Sequence, residues 1–297
     1  MGDRLHTVSR EIALLTNPTA GKGRARRVRD ESLPLLHGAG WRVRSLEGRD
    51  VDEASDLARK AVADGVDALV VCGGDGLVHL GLQAVGGTDV PLGILPAGTG
   101  NDAARFLGIP LRDPAAAARQ LIAWQPRPVD LARSGDRWFV TVLAAGFDAV
   151  VNERANKMTW PRGQMRYNLA TVAELRRFAP LHYEIDLDGE QLQLRAMLVA
   201  IGNGPSYGGG LRIAEGAVLD DGLLDVVVIG PMSKPELVRT YPKLFRGTHV
   251  NHPTFSRYRA RRVTVACPGI VGYADGERYG ALPLTVECVP GALQVLA

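Results

Sequence analysis

Four apolar runs of strand length occupy the first part of this chain: Glu11–Thr16, Trp41–Leu46, Ala68–Cys72 and Pro91–Leu95. Segments of helical period separate or follow them. In Val51–Ala63, residues Ala54, Leu57, Ala58 and Ala61 fall on one face, and Leu77–Val85 and Pro114–Trp124 read the same way. Strands alternating with helices predict a parallel sheet covered on both faces. Such a sheet receives ligands beyond the carboxyl ends of its strands, so the turns that follow the apolar runs are where chemistry is expected.

Three of those turns are rich in glycine. Thr16-Asn17-Pro18-Thr19-Ala20-Gly21-Lys22-Gly23 follows the first run. Its backbone N–H groups could face an anion, with Lys22 adding charge, although an Asn-Pro turn with a glycine cap explains the same letters. Cys72-Gly73-Gly74-Asp75-Gly76 follows the third run, and its glycines let the backbone approach a ligand closely. Gly98-Thr99-Gly100-Asn101-Asp102 follows the fourth, where Asn101 or Asp102 could also cap a helix. The three together favour a nucleotide-phosphate cradle over unrelated turns.

The pattern changes near Pro126-Arg127-Pro128. Short strands then dominate: Arg137–Leu143, His182–Leu187, Gln191–Ile201, Leu223–Ile229, Arg261–Ala266 and Leu284–Cys288. Helical stretches are expected at Gln164–Phe178 and Lys234–Phe245. Asp188-Gly189 is a strong hairpin signal. The same Asp-Gly-Glu triplet recurs at Asp275-Gly276-Glu277, so composition alone makes Asp275 no more catalytic than Asp188.

A chain of 297 residues suggests about two domains. A net charge of +3 is too small a bias to indicate nucleic acid. Three cysteines without metal-ligand spacing fit a reducing cytoplasm. No apolar run reaches membrane-spanning length, the N-terminus lacks a signal-peptide pattern, and Met1-Gly2 is followed by His6 where a myristoylation site wants Ser or Thr. Any membrane contact is expected from the water side.

In order along the chain, NPTAGKG, GGDG, LPAGTGNDAARFLGIP, VDLA, AAGFDA, GNGPSYGGG, LDDGLLDVVVI, YADGE and VPGALQVL resemble the diacylglycerol kinase catalytic-domain family of lipid kinases, which includes sphingosine and ceramide kinases and shares its fold distantly with NAD kinases and phosphofructokinases. The resemblance implies a Rossmann-like α/β ATP-binding domain (1–129 plus 284–297) and a C-terminal β-sandwich domain (130–283), with ATP in the cleft between them. It implies transfer of the γ-phosphate of ATP to a lipid hydroxyl, with Mg²⁺. Asn17, Gly21, Lys22, Gly73, Gly74, Asp75, Gly76, Gly98, Thr99, Asn101 and Asp102 resemble the nucleotide site. Asp75 and Asp130 resemble the acids of a catalytic magnesium network, and Asp220 and Asp221 a second, structural magnesium site. Asp275 resembles the general base, with Glu277 beside it.

Leu77, Val78, His79 and Leu80 replace the family's usual threonine, hydrophobic residue, asparagine and glutamate. Gly-Leu-x-His is closer to sphingosine kinases, whereas Asp102 is typical of diacylglycerol kinases. His79 reads as a packed helix residue. The expected acceptor is diacylglycerol, with sphingosine, ceramide or another lipid alcohol as alternatives and a non-catalytic nucleotide or lipid sensor as the rival of another class. A cytoplasmic enzyme, peripheral on an anionic membrane, is implied, and a homodimer is compatible with it. Arg24, Arg26, Arg27 and Arg29, and Arg257, Arg259 and Arg261, are candidate headgroup contacts, and Met158-Thr159-Trp160-Pro161 a candidate interfacial tip.

Overall fold

A computed structural model describes residues 10–123, 125–160 and 179–297, with isolated positions 165, 169–170 and 173–174 between. The chain divides into two compact units, residues 1–129 with 291–297 and residues 130–290.

The first unit runs β1 (Glu11–Thr16), α1 (Ala20–Gly38), β2 (Arg42–Leu46), α2 (Val51–Ala63), β3 (Ala68–Gly73), α3 (Asp75–Val85), β4 (Leu92–Pro96), α4 (Asp102–Phe106) and α5 (Pro114–Ala123). Strands stand in the order β2-β1-β3-β4, all parallel, with Leu14 beside Val70 and Val70 beside Gly93. Every residue of β3 is buried, as expected of a strand with helices on both faces. Asp50 caps α2 by accepting from Glu53 N at 2.9 Å, and Ala54, Ala58 and Ala61 are its buried face. In α3, Gly81 lets the helix lie close on the sheet. A Cβ there would stand 2.9 Å from Val71 and 3.1 Å from Leu92.

The second unit holds most of β5 (Arg127–Ser134), then β6 (Arg137–Phe139), β7 (Val142–Gly146), α6 (Phe147–Lys157), β8 (Leu181–Leu187), β9 (Glu190–Ala196), β10 (Leu198–Gly202), β11 (Leu224–Ile229), α7 (Lys234–Leu244), β12 (Phe255–Ala260), β13 (Arg262–Ala266), β14 (Val271–Ala274), β15 (Glu277–Ala281) and the start of β16 (Leu284–Leu296). One antiparallel sheet has the order β12-β11-β10-β7-β14-β15, and in the other β13 lies between β8 and the first residues of β16. Leu143, Ile201, Val226 and Val228 from one sheet share a core with Tyr183, Ile185, Val263 and Val286 from the other, which makes a β-sandwich. The last residues of β16 belong to the first unit, where Val295 and Leu296 pair in parallel with Leu92 and Gly93.

Two predicted strands divide. Arg137–Leu143 breaks between β6 and β7, because the amides of Val140 and Thr141 bond to the Asp275 carboxylate instead of a strand ladder. Gln191–Ile201 breaks at Met197, whose amide bonds to Ile229 O at 2.8 Å, and the chain passes from one sheet to the other. The predicted helix at Gln164–Phe178 lies almost wholly outside the described residues, as do Trp124, Pro161, Met1, Gly2 and His6.

Gly81→Val should lower stability by about 1–3 kcal/mol through overpacking. The urea midpoint should fall with its slope unchanged; an unchanged midpoint would mean that α3 can lift off β3 at no cost.

Candidate functional site

In the first unit the three glycine turns interlock. Gly21, Lys22 and Gly23 all have left-handed backbone (φ 59°, 60° and 89°), so the regular part of α1 begins only after them. A side chain on Gly21 would collide with Ala97 O, and one on Gly98 with Gly74 Cα. Arg24 donates from Nε to Ala97 O at 3.1 Å and also to Gly98 O, tying the first turn to the third. Asn17 accepts from Thr19 N at 3.1 Å and Thr19 Oγ1 at 2.8 Å, and its own amide donates to Cys72 O.

Asp75 joins the second turn to the third. Its two carboxylate oxygens accept from Asn101 N and Asp102 N, each at 2.7 Å. Asn101 is held left-handed (φ 52°), with Oδ1 accepting from Gly98 N and Nδ2 donating to Gly98 O, both at 2.9 Å. A Cβ on Gly100 would lie 2.5 Å from Asp75 Oδ2 and 3.5 Å from Asp102 Oδ2, so the two carboxylates converge on one small space. Lys22, Thr99 and Gly76 are exposed, and a Cβ on Gly76 would meet nothing within 4 Å. Leu77 is buried with its side chain 2.7 Å from where a Gly73 Cβ would be, so it is a packing residue. His79 is buried in α3 with Nε2 3.4 Å from Gln83 Nε2, as a packed helix residue should be.

In the second unit Asp275 and Gly276 form a two-residue turn between β14 and β15 with φ 52° and 85°, nearly the angles of Asp188 and Gly189 (53° and 99°). Both aspartates accept two consecutive amides of a neighbouring segment, Asp188 those of Arg261 and Arg262. The difference lies in burial and polarity. Asp275 is buried and accepts from Thr141 N at 3.0 Å, Thr141 Oγ1 at 2.5 Å and Val140 N at 3.3 Å. Glu277, two residues on, is exposed. Nearby Tyr279 donates to Trp138 O at 2.6 Å and lies under Arg137, and burial, with Asp275 and Glu277 adding to it, drives its phenol well above the usual range.

Asp130 is buried, accepting from Gly222 N at 2.7 Å and from the Cys288 thiol at 3.8 Å. Asn203 connects it to the Asp275 segment. Its Nδ2 donates to Asp130 O at 2.9 Å and Val140 O at 3.3 Å, and its amide to Thr141 O at 2.9 Å. Sequence reading gave no role to Asn203, Thr141 or Tyr279. A buried asparagine among glycines directly after an apolar strand was the available signal for the first.

Among the described residues no three His, Cys, Asp or Glu side chains gather as a metal cage. The resemblance expects a structural magnesium at Asp220 and Asp221, both of which are exposed. Asp221 is engaged by Arg259 and accepts from Leu223 N at 3.1 Å, while buried Asp225 is met by Arg257 Nε at 2.6 Å. Arg257 also donates to Glu215 O at 2.9 Å and Gly216 O at 3.2 Å. Guanidinium groups thus supply the positive charge there, and these two arginines are committed to the fold. In the other basic cluster Arg24 is bonded as above, Arg27 pairs with Glu31, and Arg29 with Asp30 and Glu47, while Arg26 is exposed.

Two predictions follow from these contacts. Asn203→Ala removes a donor from two buried carbonyls and should cost about 1–3 kcal/mol, read as a lower urea midpoint; no change would deny Asn203 its connecting role. Burial pushes the Cys72 and Cys288 thiols up to about 12, with Asp130 adding to burial at Cys288. Unfolded thiols ionise near ~8.5, so above that pH the unfolded chain releases protons that the native one keeps. Stability should be full below pH ~8.5 and fall as pH rises toward 12, by up to about 1.4 kcal/mol per pH unit for buried Cys72. Urea midpoints across that range test this, and Cys72→Ala should flatten the slope.

Comparison with known proteins agrees with both units. Residues 11–134 match the diacylglycerol kinase catalytic domain, and residues 141–297 the YegS C-terminal NAD kinase beta sandwich-like domain. The chain is 44% identical over 299 residues to the diacylglycerol kinase of Mycobacterium tuberculosis (strain ATCC 25618 / H37Rv), covering 99% of this chain and 96% of that one. It is 28% identical over 274 residues to the diacylglycerol kinase of Bacillus subtilis (strain 168), covering 91% and 90%. The crystal structure of a diacylglycerol kinase from Bacillus anthracis str. Sterne superposes with a TM-score of 0.79 at 25% identity, covering 98% of each chain. The interlocked glycine turns, the β-sandwich and these matches together establish that the chain belongs to the diacylglycerol kinase family of lipid kinases, enzymes that take phosphate from ATP.

Proposed function

We propose that this kinase phosphorylates the free hydroxyl of diacylglycerol, giving phosphatidic acid and ADP. The observation that carries the reading is the Asp102 carboxylate, on a buried residue, converging with that of Asp75 beside Gly100. Asp102 is the residue that separates diacylglycerol kinases from sphingosine kinases in the resemblance. Leu77, which pointed the other way, is a packing residue against Gly73. The names of the relatives support the same acceptor.

Asn17, Gly21, Lys22, Gly73, Gly74, Gly76, Gly98, Thr99 and Asn101 then form the nucleotide site. Exposed Lys22 and the backbone N–H groups offset phosphate charge, and the open space over Gly76 leaves room for it. Left-handed Lys22 and Asn101 are strained positions of the kind that persist where geometry serves function. Magnesium keeps several waters and takes many of its oxygens from phosphates, so it needs only one or two protein carboxylates. The Asp75 and Asp102 oxygens converging beside Gly100 suit it, and it would neutralise phosphate charge when bound. Asp130 is a further candidate carboxylate, buried and already acting as an acceptor.

Asp275 is the proposed proton acceptor. Thr141 and Val140 hold its carboxylate in place, so no reorganisation is needed when it receives a proton. The lipid hydroxyl gives its proton to Asp275 as its oxygen attacks the γ-phosphorus. The bond to the bridging oxygen breaks and ADP departs with the electron pair. Glu277, exposed beside the turn, is assigned the orientation of the acceptor.

Transfer of labelled γ-phosphate to diacylglycerol, sphingosine, ceramide and undecaprenol in mixed micelles tests the acceptor, with NAD as a control. Phosphatidic acid should dominate; another lipid product, or ATP binding without transfer, would overturn the proposal. Asp275→Asn should lower kcat by about 10²–10⁴-fold with ATP affinity nearly unchanged, and Glu277→Gln by less. The reverse order would move the base to Glu277. Leu77→Thr should change kcat little.

A further inference from the structure

Helix α7 carries two apolar stripes, and only one faces its own domain. Leu237, Thr240 and Leu244 form the inner one, and Leu244 packs on the cluster of Ile213, Val227 and Ile229. Val238, Tyr241 and Phe245 follow at helical spacing on another face and are 55%, 43% and 47% exposed, with exposed Pro242 between them. Tyr241 and Phe245 stack edge to face at 5.9 Å, which makes one ridge. A domain helix needs one buried stripe, and contiguous exposed apolar residues rimmed by polar ones mark a contact surface.

Charge identifies the partner. Arg239, Lys243 and Arg246 are exposed along the side of the ridge, and none makes an ion pair among the described residues. The helix's own carboxylate, Glu236, is engaged by the Ser233 capping box and by His252 at 3.2 Å. Five of the seven arginines in the two basic clusters are spent on internal partners, Arg26 and Arg261 being exposed, and α7 sets unspent positive charge beside apolar surface. A second copy docked face to face would bring like charges together, and three side chains are few for the ~800 Å² per partner of a stable dimer. We infer that α7 lies on an anionic lipid surface, with Val238, Tyr241 and Phe245 entering the interface and Arg239, Lys243 and Arg246 meeting headgroups. Pro242 supplies no N–H to the carbonyl four residues earlier, so the helix suits the wet interfacial layer rather than the hydrocarbon. The inference rests on the reading that the acceptor is a membrane lipid, and names the surface that reaches it.

The test is flotation of the full chain with phosphatidylglycerol/phosphatidylcholine vesicles and with phosphatidylcholine alone, without ATP. Wild type should float with the anionic vesicles. Val238→Ser/Tyr241→Ser/Phe245→Ser and, separately, Arg239→Gln/Lys243→Gln/Arg246→Gln should each reduce partitioning at least ~10-fold, and salt should weaken the wild type more than the Gln variant. Both variants should keep wild-type turnover of a dissolved short-chain diacylglycerol, which separates lost docking from misfolding. Unchanged flotation of the Gln variant overturns the inference. So does a change of mass in solution for the Ser variant, which would make the ridge a contact between copies. Because flotation needs no turnover, a failed acceptor assay would sink the substrate reading and leave this result standing.

Discussion

Two hydrogen bonds set the geometry of the first unit's chemistry: the amides of Asn101 and Asp102 donating to Asp75. They hold the turn after β4 against the turn after β3, and the Gly74–Gly98 approach is possible only because neither residue has a side chain. Arg24 extends the lock to the turn after β1. Each turn alone is short and flexible. Bonded together the three turns brace one another, and a site preorganised in this way loses less protein entropy when a ligand binds.

The second unit reaches a comparable rigidity by different means. Asp275 interrupts what would be one strand and collects the freed amides of Val140 and Thr141. Asn203 then binds the carbonyls of Asp130 and Val140, so two acidic segments distant in sequence share one support. Asp188 is the instructive contrast, since it has the same turn angles and the same amide-capping habit on an exposed edge. Turn chemistry makes the shape in both places, and burial beside Thr141 makes one of them distinctive.

The fold class was legible because its signals are local. Buried parallel strands read as short apolar runs, and the hairpin at Asp188-Gly189 is announced by two residues. The breaks at Val140–Thr141 and Met197 were not legible, since each depends on a partner far away in the chain, Asp275 in one case and Ile229 in the other. The glycine turns could be found from sequence, but not that Asp75 is what binds them. The ion pairs of the arginines were hidden for a related reason. Alternation along β12 gives Arg257 and Arg259 a common face, and nothing local reveals that Asp225 and Asp221 wait on the neighbouring segments.

Strand β16 has a consequence for how the chain comes off the ribosome. Its final residues complete the sheet beside β4, yet residues 130–290 must be made first. At ~5–20 residues per second that takes roughly 10–30 s. For that interval the first unit has all its helices but a bare strand edge at β4, a surface that pairs readily with other chains. Translation speed and chaperone cover over this window, rather than the stability of the finished protein, would then decide how much of the enzyme a cell recovers.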